Sequence, residues 1–498
     1  MNTSGSRHVA PSASACIVGG GIAGLASALA LHRQGISATI IEADRFASGS
    51  GDFSDDRAWI DARRGAPQAF HPHFLMARLR AVLADSFPEL LAELEAAGVW
   101  SLPMADTLDD RARAEYRAKA GDELLAPLCA RRSTFEQVLR KYVIDRGIAE
   151  LRQGCRLREL ITETAEGTLI VTGCIVEKGG ERSTIMADFV IDASGRGSPC
   201  LPALRGHGVT VEEEADNSGL VYLTQRYRLR EGQDYPPMSG IPAAEFESFF
   251  IGAHPADNGY FTVTIGFWRD DAMLARASNS LAQFMAVASR VPKIAPWIDD
   301  QRAAPVGTPR RFGNIDYVWR SIGSSPVNLR GMFLVGDSQV RTNPKFGRGC
   351  TWAFLSALAL AECCQLSDER ARLPKYQQTI RNLFRQDWET MRGLDRNSLR
   401  RSRVARGTAL PRLLDRWRWA IEDAILIDAM GRNASVHREI VRAYHGFTTM
   451  TAWLFAPQTW IALMRVALRR MVSRGERFGR EGWPTREALA QSLQDAEA

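Results

Sequence analysis

The chain has 498 residues, more than one hydrophobic core fills, so at least two structural units are expected. With 45% apolar and 24% charged residues it is neither disordered nor fibrous, and a net charge of +6 (63 basic, 57 acidic) is too small to argue for nucleic-acid binding. Eight scattered cysteines, with no CxxC and no histidine pairing, suggest neither a disulfide framework nor a zinc site, and no metal is expected. Met1–Ser14 lacks the apolar stretch of a secretory signal. The longest apolar run, Met450–Leu468, is interrupted by Pro457, Gln458 and Arg465. A cytoplasmic protein, soluble or peripheral at a membrane, is expected.

The first chemical signal is at the N-terminus. Ala15–Val18 is a short apolar run that suits a buried parallel strand, and it enters Gly19-Gly20-Gly21-Ile22-Ala23-Gly24. A helical stretch, Leu25–Leu31, follows, then a second apolar run, Ala38–Ile41, ending at Glu42. Gly19 permits the tight turn, Gly21 lets backbone approach a pyrophosphate, and Gly24 allows close helix–strand packing. The helix N-terminus offers unpaired N–H groups to phosphate, and Glu42 is spaced to accept hydrogen bonds from a ribose diol. This is a dinucleotide site. Its position at the start of the chain favours FAD over NAD, because the remaining sequence must then complete it.

The second signal comes three hundred residues later. Met332–Val335 is another apolar strand, ending in Gly336-Asp337, and Asn343-Pro344-Lys345-Phe346-Gly347-Arg348-Gly349 leads into an apolar helix from Thr351. Asp337 lies at the carboxyl end of a strand, where ligands of open α/β sheets bind and where a carboxylate can accept a ribityl hydroxyl. Pro344 sets a rigid turn, while Gly347 and Gly349 let backbone approach a flat ligand. The positive end of the following helix favours the anionic charge of a reduced flavin.

These residues resemble the two FAD fingerprints of the FAD-dependent monooxygenases of the para-hydroxybenzoate hydroxylase superfamily, which also contains flavin-dependent halogenases and geranylgeranyl reductases. The second fingerprint, GD…NPxxGxG, is matched by Gly336-Asp337, Asn343-Pro344 and Gly347-x-Gly349. Arg64–His73 resembles a segment along the flavin edge, which makes Arg64 a cofactor candidate, and Arg45 is added beside Glu42. Arg132-Ser133-Thr134-Phe135-Glu136 resembles the Arg-x-x-Leu-Glu element whose arginine reaches the cofactor. The third motif departs from the family. Ala193-Ser194-Gly195 stands where direct NAD(P)H users carry Ala-Asp-Gly, so the electrons come either from transient NAD(P)H or from a partner flavin reductase.

The resemblance implies an α/β fold: a Rossmann-like FAD-binding domain (13–200 and 305–375), an inserted β-rich substrate domain (201–304) and a C-terminal helical region (376–498). Within the insert, Ser218–Leu229 and Gly259–Trp268 read as strands. Phe261, Val263, Ile265 and Phe267 share one face by the two-residue period, and are expected either in the core or lining a substrate pocket. Residues 396–480 hold 17 Arg, no Lys and 6 acids, a net of +11, interleaved with Trp417, Trp419, Trp453, Phe455, Trp460, Met464 and Leu468. That pattern suits a solvated basic face or an interfacial helix on anionic membrane; nucleic acid is not expected.

The implied activity is hydroxylation or epoxidation of a hydrophobic small molecule, aromatic or polyene, with O2 through a flavin C4a-hydroperoxide. His71 and His73 are the candidates for handling protons, or for orienting the flavin. A reductase or cyclase acting on an isoprenoid-like alkene is the alternative. Halogenation ranks lower, because Lys345, the only lysine in a flavin motif, does not lie where the halogenase family keeps its lysine, and the Gly-Trp-x-Trp-x-Ile-Pro signature is absent.

Overall fold

In the computed structural model, which describes residues 13–46, 53, 55–238, 240–323, 328–422, 433–472 and 482–497, the apolar runs become adjacent parallel strands. Most of Met1–Ser14 lies outside the described residues, as do parts of the arginine-rich segment. Five strands form the central parallel sheet in the order Met332–Leu334, Phe189–Asp192, Ser14–Val18, Ser37–Glu42 and Glu150–Gln153. Strands Met332–Leu334, Phe189–Asp192 and Ser14–Val18 are almost wholly buried because helices cover them, notably Ile22–Arg33 against Arg348–Cys364, while the edge strand Glu150–Gln153 is partly exposed. The architecture is α/β. The strands carrying the two glycine signals are separated only by Phe189–Asp192, so both signals emerge at one carboxyl edge.

A second sheet, antiparallel, runs in the order Ala243–Glu245, Phe249–Pro255, Tyr260–Trp268, Leu220–Leu229 and Ala303–Phe312. Strand Ala303–Phe312 pairs with Leu220–Leu229, so the β-rich unit extends past residue 304. The boundary at 376 also moves, because it falls inside the continuous helix Glu369–Ala405, whose Tyr376, Phe384 and Trp388 pack into the FAD-side core. Helix Arg486–Asp495 instead joins the core of the antiparallel sheet through Leu489 and Leu493. The C-terminal region is thus shared between the two units.

The aromatic run of Tyr260–Trp268 resolves the choice left open by its period. Phe261, Val263, Ile265 and Phe267 point away from the cofactor side, into a core with Phe284, Val287 and Leu489. The opposite face carries Tyr222, Thr224, Arg226 and Thr264, and it meets the cofactor-side segments. There His71 Nδ1 lies 2.9 Å from Thr224 Oγ1, Thr224 and Thr264 hydroxyls are 2.9 Å apart, and the Tyr222 hydroxyl donates to Asn343. The apolar residues were needed to hold the helices, which leaves the polar face for the cleft.

Buried charges join the two units. Asp56 accepts from Arg226 at 2.8 and 3.0 Å, and Asp257 accepts from Arg131 Nη2 at 2.6 Å and from Thr134 at 2.8 Å. All four ionic groups are buried, so each depends on its partner. Asp257→Ala leaves Arg131 without its main partner, and a loss of about 3–5 kcal/mol is expected by urea denaturation. A loss near that of an exposed ion pair, below about 1 kcal/mol, contradicts this reading.

Candidate FAD site and active cleft

The first glycine turn is sterically compelled. Gly19 has φ of +105°, and a Cβ on Gly24 would fall on the Gly19 carbonyl oxygen, so the helix can start this close to the strand only with glycine at both positions. The second turn packs directly on the first: a Cβ on Gly336, itself at φ +67°, would come 2.7 Å from the Ala23 methyl. Gly347 is left-handed too, at φ +63°, and caps helix Arg348–Cys364.

Between these turns lies a cavity of about 600 Å³, lined by Gly19, Gly21, Glu42, Asp337, Gly347 and Gly349 among others. Two helices start on it, at Ile22 and at Arg348. Neither has a side-chain cap or an acidic residue in its first turn, so both present unpaired N–H groups and positive dipole ends. The Asp337 carboxylate has no hydrogen-bond partner among the described residues. Burial raises its pKa, opposed by Arg341, Arg132 and Arg196. An elongated ligand with a diphosphate, a polyol and an anionic flat ring matches this set, so the residues present fit FAD.

The acid after the second strand is partly committed to the loop. Glu42 accepts from the N–H of Gly20 and of Asp44, both at 2.9 Å, while its carboxylate still lines the cavity. Beneath it sits Glu136, wholly buried, which accepts from Arg63 Nε at 2.8 Å and Arg132 Nε at 3.2 Å and pairs with Arg140 at 3.4 Å. Burial alone would raise the Glu136 pKa, but the three guanidiniums outweigh it and the net direction is down. Arg140 also donates to the Gly20 carbonyl at 2.7 Å, and Arg63 donates to Asp44 at 3.0 Å.

Most sequence candidates converge here: Gly19, Gly21, Glu42, His73, Arg132, Asp337, Pro344, Gly347 and Gly349 all line the cavity, and Gly24 supports it from behind. Three candidates do not: His71 is off the lining and meets Thr224 of the antiparallel sheet instead, and the other two are arginines. Arg64 is exposed and off the lining, and its neighbour Arg63 takes the inward place, because helix Arg57–Ala62 ends just before and sets which arginine turns in. Arg45 is exposed and lies over Gly154 at a neighbouring turn. Missed by sequence reasoning were Asp44, Arg156, Arg158 and Ser194–Gly197, all on the lining. Only the third motif carried a signal for the last of these. Its Asp192 is wholly buried and accepts from the Ser194 N–H at 3.0 Å.

The two histidines are neutral. Burial, with the Arg310 charge for His71 and the Arg132 charge for His73, holds each at about 3. Arg132 donates to His73 Nε2 at 3.1 Å, which makes Nδ1 the protonated nitrogen, donating to the His71 carbonyl at 3.0 Å. That geometry orients; it leaves no transferable proton on His73 near neutral pH.

A profile of the FAD binding domain matches residues 14–214. The curated relative Protein Rv3254 of Mycobacterium tuberculosis is 26% identical over 361 residues, covering 70% of this chain and 72% of that protein. The FAD-dependent monooxygenase mdpD of Emericella nidulans is 25% identical over 400 residues, covering 74% and 70%. Among solved structures, the flavin-dependent halogenase CmlS superposes with a TM-score of 0.60 at 18% identity, over 93% of this chain and 79% of that one. This chain is an FAD-dependent oxidoreductase. It has the fold shared by flavin-dependent monooxygenases and halogenases.

In this oxidoreductase the buried ionic hub sets the cost of disruption. Glu136→Ala strands Arg63, Arg132 and Arg140 in the interior, and it is expected to purify with little FAD and to lose about 3–5 kcal/mol of stability; full FAD occupancy refutes the hub's role. The histidines set an acid limit. His71, His73 and His445 at about 3 and His254 at about 4 stay neutral in the fold but protonate near 6.5 when unfolded. Stability is therefore full above about pH 6.5 and falls by about 1.4 kcal/mol per pH unit for each histidine below it. Urea midpoints of the holoenzyme between pH 7 and 5 check this, with a flat profile as the contrary result, and His71→Gln should remove about a quarter of the slope.

Proposed function

We propose that this FAD-dependent oxidoreductase is a monooxygenase that places one atom of O2 on a carbon of a hydrophobic small molecule. The other oxygen atom leaves as water, with two electrons from NAD(P)H and a proton from solvent. Bound FAD supplies the redox chemistry, taking the electrons and activating O2. The observation that carries the reading is the convergence of Asp337 and the uncapped N-terminus of helix Arg348–Cys364 on the cavity, whose wall residue His73 lies two positions from the His71 that meets Thr224 of the antiparallel sheet. Asp337 would hold the ribityl chain, and the helix end would stabilise negative charge on the ring.

This chain's side chains bind, orient and exclude water. Arg132 and His73 fix the segment on the flavin side, and the His71–Thr224–Thr264 line offers hydroxyls for orienting a substrate. Tyr222 and Phe250, packed edge to face, give that sheet an aromatic wall, which favours an aromatic or polyene substrate. NAD(P)H binding directly is favoured over a partner reductase, because the long bipartite site suits a cofactor that stays bound.

Two features weigh against halogenation. The cavity lining contains no lysine, and Lys345 is held by Glu245 at 2.8 Å against the Phe250 ring. The decisive measurement is turnover of the purified yellow protein with NADPH or NADH and a panel of lipophilic aromatics and polyenes under 18O2. One labelled oxygen in the product is expected, with flavin bleaching by NAD(P)H alone. Product formed without O2 replaces this reading with a reductase or cyclase, and a halide-dependent product replaces it with a halogenase.

A further inference from the structure

The helix Pro457–Val472 is apolar on two opposite sides. Thr459 and Ala462 are buried, and Ala462 packs with Leu463 against Val436 and Ile440 of helix Ala434–Tyr444. At 3.6 residues per turn the opposite side carries Trp460, Ile461, Met464 and Leu468, which are 54, 48, 57 and 58% exposed. Phe455, just before the helix, is 82% exposed. The Trp460 indole N–H is satisfied internally by the Leu454 carbonyl at 2.6 Å, so it asks for no water. A soluble surface does not ordinarily line up five large apolar side chains in this way.

Charge identifies what covers them. Residues 440–475 contain five arginines (Arg442, Arg465, Arg469, Arg470, Arg474) and no Asp or Glu. Arg465 is exposed and sits at the edge of the apolar row by helical angle. The apolar row itself carries no acid and is bordered by Arg465, while Glu439 of the supporting helix accepts from Gln458 at 3.3 Å; such a row complements an anionic lipid surface, with the row in the acyl boundary and the Arg465 guanidinium at the phosphates. Among the described residues no helix is long and apolar enough to cross a membrane, so the helix would lie in the interface plane.

The supporting helix touches the loop that carries Pro344 and Gly347 of the cavity lining. Tyr444, which ends the supporting helix, donates its hydroxyl to the Lys345 carbonyl at 3.0 Å and accepts from Arg348 at 2.7 Å through its own carbonyl. We propose that helix Pro457–Val472 docks the enzyme on anionic membrane, placing the cleft where a lipophilic substrate is dissolved. The docking itself does not depend on the oxygenase reading.

The test is sedimentation of the FAD-loaded full-length protein with vesicles of phosphatidylcholine alone or mixed with phosphatidylglycerol. Binding is expected to the mixture only and to weaken at high salt. The double variant Met464→Glu, Leu468→Glu should bind at least about tenfold less, with FAD absorbance unchanged because both side chains face solvent. Equal binding by wild type and variant, or none by wild type, overturns the proposal. So does a wild-type dimer in light scattering that the same variant converts to monomer, since the face would then belong to a second copy.

Discussion

One buried carboxylate organises the nucleotide half of this enzyme. Glu136 is surrounded by Arg63, Arg132 and Arg140, and each arginine reaches on to a different part of the cleft. Arg140 holds the Gly20 carbonyl of the first turn, Arg63 holds the acids that follow the second strand, and Arg132 holds His73. A charge taken out of water is tolerable only when paired, so none of these segments can shift without stranding another. The hub thereby makes a single rigid frame from four stretches of chain distant in sequence.

The second unit is attached by the same means. Asp56 and Asp257 pair with Arg226 and Arg131 across the junction, in the interior and out of reach of salt. The antiparallel sheet therefore meets the cofactor side with a fixed face, and it is the polar one. Phe261 and Phe267 pack instead in the core with the helices Leu281–Ala288 and Arg486–Asp495 behind it. The face turned to His71 and Asn343 carries Tyr222, Phe250 and the threonine hydroxyl line, a surface suited to an apolar body with a polar handle.

Sequence reading succeeded where a requirement is local. Gly19 and Gly24 are demanded by a steric contact five residues apart, and Gly347 by the left-handed turn it takes at φ +63°. It misplaced features that depend on direction. Arg63 and Arg64 are equivalent in composition, and only the end of helix Arg57–Ala62 distinguishes them. A two-residue period shows that Phe261 through Phe267 share a face, but both faces of a sheet satisfy it. Likewise the boundaries at 305 and 376 followed the motifs, whereas strand pairing and the unbroken helix Glu369–Ala405 follow long-range packing.

The amino-acid order alone was therefore enough to point to FAD, to the α/β fold and to the glycine turns and Asp337 that line the cavity, because those depend on contacts within a few residues. The placement of the arginines around Glu136, the neutrality of His71 and His73, and the turning of the threonine face toward His71 came from chain segments meeting at distances of tens to hundreds of residues. Burial is a property of that meeting, and it is burial that sets which charges must pair and which protons are lost.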